Sequence, residues 1–254
     1  MDWFTPIDIY CERVSAAFWA EPLNAISNLA FVLAALWGWI EAKRRDRLDP
    51  MTMVLILLAG MIGIGSFLFH TFANAWASLA DVIPIWTFVF LFILVALRRV
   101  AGIRPGRIGA GLAIIAAAIA VVFAFGGDGS GSQSSDIPIA TETAPVTAPE
   151  TSHDDPHEHK AENSLLNGSE QYLPAVLALL AFTFLTRRNG HEIAPWITAA
   201  TVIFMISLTF RTFDMHLCEI WPTGTHFIWH ILNGTMIALL FQGLIRSPDL
   251  RFAT

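Results

Sequence analysis

The sequence predicts an all-α, polytopic membrane protein: a single domain, residues 1–254, built as a bundle of seven transmembrane helices with its N-terminus outside and its C-terminus in the cytoplasm. Three observations predict it. Hydrophobic residues make up 55% of the chain and charged residues only 14%, for a mean hydropathy of +0.57, too apolar for an ordinary soluble domain. Seven segments come within a few residues of the roughly 20 apolar residues a helix needs to cross about 30 Å of hydrocarbon. The Lys and Arg residues are distributed unevenly between the connections.

The N-terminal segment begins Met1-Asp2-Trp3-Phe4 and carries acids where a cleaved signal peptide has Lys or Arg. No cleaved signal is expected, and the first helix serves for targeting. The predicted spans are Glu21 to Glu41, Met51 to His70, Leu79 to Leu97, Ile108 to Gly126, Gln171 to Thr186, Ala194 to Phe213 and His226 to Ile245, the fifth being the shortest. Between the fourth and fifth, Gly127 to Gly168 is rich in Gly, Ser, Thr, Pro and acids and has no apolar period, so a disordered acidic external loop is expected. Eight acids fall in it. The net charge of −6 therefore points to no particular partner, and without a basic face nucleic acid is not one. His153, His157 and His159 in this loop have the look of a metal-scavenging tract, but a solvated linker accounts for them.

Orientation follows from the basic residues, because short cytoplasmic connections retain positive charge. Lys43, Arg44, Arg45 and Arg47 follow the first span; Arg98, Arg99, Arg104 and Arg107 the third; Arg187 and Arg188 the fifth; Arg246 and Arg251 the seventh. Only Arg13, Lys160 and Arg211 fall on the opposite side. That places His70 at the outer end of the second span, Asp81 at the outer start of the third and His226 at the outer start of the seventh. Cys11 and Cys218 fall on the same side, where an exported compartment permits a disulfide between them.

Ionisable side chains inside a bilayer are costly and mark functional sites. His226 and His230 lie four residues apart, on one helix face, a spacing at which two imidazoles grip one metal. His70 is the histidine predicted at the same depth, with Ser66 one turn deeper on the same face. Three protein ligands leave zinc a fourth position for water, the catalytic pattern, and lower that water's pKa toward neutrality. Asp81 is the proton partner expected for it, and Ser66 a hydrogen-bond donor. No Gly-x-Ser-x-Gly elbow is present, which disfavours a serine hydrolase. His216 is expected at the surface, His191 on the cytoplasmic side, and Trp76, Trp86, Trp221 and Trp229 in an interfacial belt. Asp8, Glu12 and Glu21, followed by Asn24 and Asn28, offer the oxygens a calcium site uses; an acidic approach to a helix that starts on Pro22 is the alternative.

Together, Gly65-Ser66-x-x-x-His70 with Asp81, His226-x-x-x-His230-Ile-Leu-x-Gly, the Cys11-Glu12 and Cys218-Glu219 pairs, and Glu21-Pro-Leu-Asn24-Ala-Ile-Ser-Asn28 resemble the alkaline ceramidase family. That family sits within a wider group of seven-helix, zinc-dependent membrane hydrolases that includes the adiponectin and progestin receptor-like proteins. The resemblance spans Asp8 to Trp86 and Arg211 to Gly234. It implies an amidase that hydrolyses the N-acyl bond of ceramide, or a related N-acyl lipid, to a sphingoid base and a fatty acid. Zinc would sit on His70, His226 and His230, with Asp81 and Ser66 at the water or substrate carbonyl. It also implies a Cys11–Cys218 disulfide and a calcium site that Glu12 and Glu21 match. The chain departs from that calcium pattern at three points: Asp8 is displaced by one residue relative to the cysteine, Arg13 stands where an acid is common, and the spacing to Glu21 is shorter by two. The competing readings are a lipid ester hydrolase of the same architecture and a seven-helix receptor or structural protein whose zinc only holds helices together.

Overall fold

Proline opens four of the helices, in first-turn positions where its missing N–H costs no hydrogen bond. In a computed structural model describing residues 2–99, 102–104, 106, 107, 109–111 and 166–247, these are α1 (Pro22–Ser27), α3 (Pro50–Phe72), α5 (Leu173–Arg188) and α6 (Ala194–Phe213). The others are α2 (Leu29–Arg44), α4 (Ala75–Arg99) and α7 (His226–Arg246). Two short 3₁₀ turns, Ser169–Tyr172 and Met215–Leu217, precede α5 and follow α6. The chain divides into two units, 1–104 with 164–254 and 105–163; all the helices named here belong to the first.

Among the described residues six stretches are long and apolar enough to span a membrane: Pro22–Arg44, Pro50–Phe72, Ala75–Arg99, Ser169–Arg188, Ala194–Phe213 and His226–Arg246. The protein is an all-helical, multi-pass membrane protein. The expected fourth span, Ile108 to Gly126, lies outside the described residues apart from its first turn, and the expected loop 127–168 lies outside them apart from its last three residues. The first expected span is two helices, since the chain breaks at Asn28 between α1 and α2. Large apolar side chains such as Leu33, Leu57, Ile64, Leu177 and Met205 point outward, while Asn24, Ser66, His70 and His230 are buried. Polar inside and apolar outside is the arrangement a lipid solvent requires.

Packing runs in the order α4, α3, α2, α7, α6, α5, with α1 wedged against α3 and α7. A side-chain cluster from Phe31, Leu55, Phe88, Ile197, Phe204 and Phe241 fills the centre. At the basic end of the helices, Glu41 pairs with Arg45 at 2.5 Å and with Arg246 at 3.5 Å, joining α2 to α7. There too Asp49 caps α3, accepting from the N–H groups of Met51 and Thr52 at 3.1 and 3.3 Å, and pairs with Arg99 at the end of α4. Burial raises the Asp49 pKa, but Thr52 and Arg99 outweigh it and the net direction is down.

At the opposite end, only Ala73 and Asn74 separate α3 from α4. The Asn74 side chain accepts from the Ala77 N–H at 3.1 Å, an N-cap that starts α4 one turn before the expected Leu79. The N-terminal segment is laid over this turn, with the Ile7 N–H donating to the Ala73 carbonyl at 2.8 Å. Pro84 lies inside α4 and has no N–H for the carbonyl of Ala80 four residues back. That carbonyl turns toward Gly65 of α3, where a Cβ would collide with it. The two helices touch there, and Ser66 and Asp81 follow the contact on either side.

Gly65→Ala is therefore expected to push α3 from α4 and cost about 1–3 kcal/mol, read as a fall in Tm of the purified protein. Asp49→Ala is expected to cost about 1 kcal/mol through the lost cap. Because the folded Asp49 pKa is lowered, its contribution is present above the ordinary carboxylate range and is lost as pH falls through the folded value. The Tm gap between wild type and Asp49→Ala should narrow in acid.

Candidate metal centre

Three histidines from two helices converge at this end of the bundle. His70 stands in the last turn of α3, and His226 and His230 in the first two turns of α7; each is at most 1% exposed. Their ring centroids are 4.5 to 5.2 Å apart, and one nitrogen of each lies within 4.8 Å of the others. Three buried imidazoles this close cannot all be protonated without strong mutual repulsion.

Hydrogen bonds set two of the rings. The His70 Nδ1 meets the Glu21 carboxylate at 2.5 Å; a carboxylate accepts, so Nδ1 carries the hydrogen and Nε2 keeps its lone pair. The single hydrogen of the Ser27 hydroxyl goes to the Asn24 carbonyl at 2.9 Å. Ser27 Oγ is then an acceptor for the His230 Nδ1–H at 2.8 Å, which leaves His230 Nε2 buried, basic and without a partner. The Nδ1 of His226 is likewise buried and unpartnered. One nitrogen from each ring within reach of the others, with two of the rings oriented from behind by Glu21 and Ser27, is a donor set that fits zinc. Ser66 Oγ and Asp81 Oδ1 are also buried without a geometrically formed partner; the two side chains lie beside each other, and Asp81 lies within electrostatic reach of His70 and Arg211.

The N-terminal segment packs over the histidines. Tyr10 stacks on His226 with ring centroids 3.8 Å apart, and burial pushes its hydroxyl up to about 12, against the opposing charge of Arg211. The expected disulfide between Cys11 and Cys218 is present. Beside it Asp214, fully buried, accepts from the N–H groups of Thr225 at 2.6 Å, His226 at 2.9 Å and Cys11 at 3.3 Å. It thus caps α7 from eleven residues upstream. Burial raises its pKa more than these three N–H donors lower it. Glu12 caps α1 in the same way, accepting from Leu23 and Asn24 at 2.7 and 2.8 Å.

Sequence reasoning missed Ser27, Asp214 and Arg211. Ser27 lies inside the quoted Glu21-to-Asn28 motif, but its role depends on α7 arriving beside it. Arg211 was visible only as a basic residue on the wrong side of the membrane. It is 6% exposed, donates to the Tyr10 hydroxyl at 3.1 Å, and lies against Tyr10, Tyr172 and Trp229 at 5.9, 5.5 and 5.5 Å. Trp229, expected in the interfacial belt, is instead buried and stacks on His226 at 5.1 Å. Asp8 is exposed, and His216 and His191 stand outside the cluster of three histidines.

Trp229 and Tyr172 also form the upper wall of a cavity of about 240 Å³ between α4, α5 and α7. Its lining continues down through Ile85, Phe92, Leu179 and Leu240 to Leu97 and Leu185, and is apolar almost throughout. A polar, metal-competent cluster thus sits at the head of an apolar slot.

In comparisons with known proteins, the family model described as Ceramidase matches residues 7–247. No curated protein matches the chain.

For a zinc ion on these three histidines, Ser27→Ala, which removes the acceptor behind His230, is expected to weaken binding about 10-fold, measured by chelator competition on the purified protein. Tm of the metal-free protein should change little.

Proposed function

The chain belongs to the ceramidase family, matched over nearly its whole length, and from that premise we propose that it is a zinc-dependent intramembrane amidase that hydrolyses the N-acyl bond of ceramide or a closely related N-acyl lipid. The observation that carries the reading is the buried three-histidine cluster, with an apolar cavity beside it whose wall residue Trp229 stacks on His226. His70, His226 and His230 would hold zinc, which when bound supplies a Lewis acid for the amide carbonyl and a more acidic water.

The chain's own residues supply the rest. The cavity below Trp229 and Tyr172 takes an alkyl chain, so that the lipid's amide lies at the level of the histidines. Ser66 donates a hydrogen bond to the carbonyl oxygen as charge develops there. Asp81 accepts a proton from the attacking water at its carboxylate, then delivers it to the amide nitrogen as the C–N bond breaks. Water adds to the acyl carbon, and the products are a fatty acid and a free amine. Arg211, a buried cation within electrostatic reach of Asp81, holds the Tyr10 hydroxyl in place. Basic residues at the far ends of the helices support a site facing the outer side, where a lipid amide lies close to the interface.

Purified protein should release fatty acid from ceramide. Asp81→Asn is expected to lower kcat about 10²- to 10⁴-fold, and His230→Ala to abolish turnover with the helical content retained. Chelation should remove activity and added zinc restore it. Turnover of a matched ester lipid but not of ceramide would replace the amidase with an esterase. Bound zinc without turnover of either lipid would sink both.

A further inference from the structure

We propose that Arg13 is the built-in cation of the metal centre: its guanidinium does what a calcium ion would do beside the histidines, so the centre works without a second metal. This rests on the reading of His70, His226 and His230 as the zinc ligands.

The argument begins with the oxygens. Calcium takes six to eight of them, chiefly carboxylate and carbonyl. Both Glu12 oxygens are spent on the Leu23 and Asn24 N–H groups at the start of α1. Of the Glu21 oxygens, Oε1 is held by Arg13 Nε–H, and Oε2 accepts from His70 Nδ1 at 2.5 Å and Asn24 Nδ2 at 3.0 Å. Asp8 is exposed, whereas Glu12 and Glu21 are 7% and 2% exposed. The amide oxygens of Asn24 and Asn28 are buried and unpartnered. Two neutral oxygens fall far short of a calcium shell. A guanidinium already fills the charge position, and a divalent ion beside it would meet a like charge.

Arg13 does more than neutralise. It is 8% exposed and uses its planar fork on three groups: Nε–H on Glu21, one terminal nitrogen on the Ser15 carbonyl at 3.1 Å, and the other on the His70 carbonyl at 3.0 Å. It therefore holds His70 twice, through the backbone of that residue and through the carboxylate that orients its ring. A buried carboxylate that has lost its cation is severely destabilising. Glu21 would then shift, and the His70 ring would lose its fixed acceptor. Arg13 is in these terms a positioning residue for the first zinc ligand.

The test uses the full chain purified in detergent and reads metal binding and unfolding rather than turnover. In buffer stripped of divalent ions and reloaded with zinc, wild type is expected to bind no radiocalcium stoichiometrically. Its Tm should be unchanged by about 1 mM calcium, enough to fill even weak sites. Arg13→Ala is expected to lower Tm by about 10 °C and to weaken zinc binding about 10- to 100-fold, the usual loss when a group behind a ligand is removed. Arg13→Lys keeps the charge but not the fork and should recover most of the Tm and only part of the zinc affinity. Stoichiometric calcium binding to wild type, or wild-type zinc affinity in Arg13→Ala, would overturn the proposal. A wild type that binds zinc yet hydrolyses no ceramide would end the proposed activity and leave this assignment standing.

Discussion

A buried carboxylate can persist in a low-dielectric interior only if its charge and lone pairs are met, and Glu21 is where this chain meets them. Arg13, His70 and Asn24 all donate to it. Each partner comes from a different part of the fold: the N-terminal segment, the end of α3 and the first turn of α1. Burial pushes the Glu21 pKa up, but the hydrogen bonds from His70 and Asn24 and the charge of Arg13 outweigh it and leave it lowered. Removing any one partner exposes the others to an uncompensated charge. The orientation of His70, the seating of the N-terminal segment and the start of α1 are consequences of the same contact set.

A second set of contacts holds the other two histidines. Asp214 ties Cys11, Thr225 and His226 through backbone N–H groups, and the Cys11–Cys218 disulfide closes the same corner covalently. Tyr10 and Trp229 stack on His226, and Ser27 orients His230. The rings are therefore positioned by neighbouring side chains, as the proposed zinc site would require. Arg211 completes the charge balance on the cavity side, where its aromatic neighbours separate the polar cluster from the apolar slot.

Some of this was legible in the residues alone. Apolar runs of about 20 residues are read directly because lipid leaves the backbone no alternative to helix. His226 and His230 followed from helical spacing, His70 and Asp81 from depth, and Cys11 with Cys218 from sharing a side. Boundaries were less legible. Asn74 extends α4 by a turn through a side-chain cap, and Asn28 divides the first span, both local events that hydropathy does not register. Trp229 was misplaced for the same reason: hydropathy puts an aromatic residue near a helix end in the interface, whereas its partners here, His226 and Arg211, come from the interior.

What the sequence by itself determined was the class of protein, the end of the helices at which the buried polar residues gather and the three imidazoles that meet there. Those depend on periodicity and on the cost of charge in lipid, which act on each segment separately. What only the tertiary structure decided was which groups stand behind the imidazoles. Arg13 on Glu21, Ser27 behind His230 and Asp214 at the start of α7 are pairings between residues 8, 203 and 12 positions apart. Distance along the chain does not order such partners. They are selected by which buried donors and acceptors remain unmatched once the helices have packed.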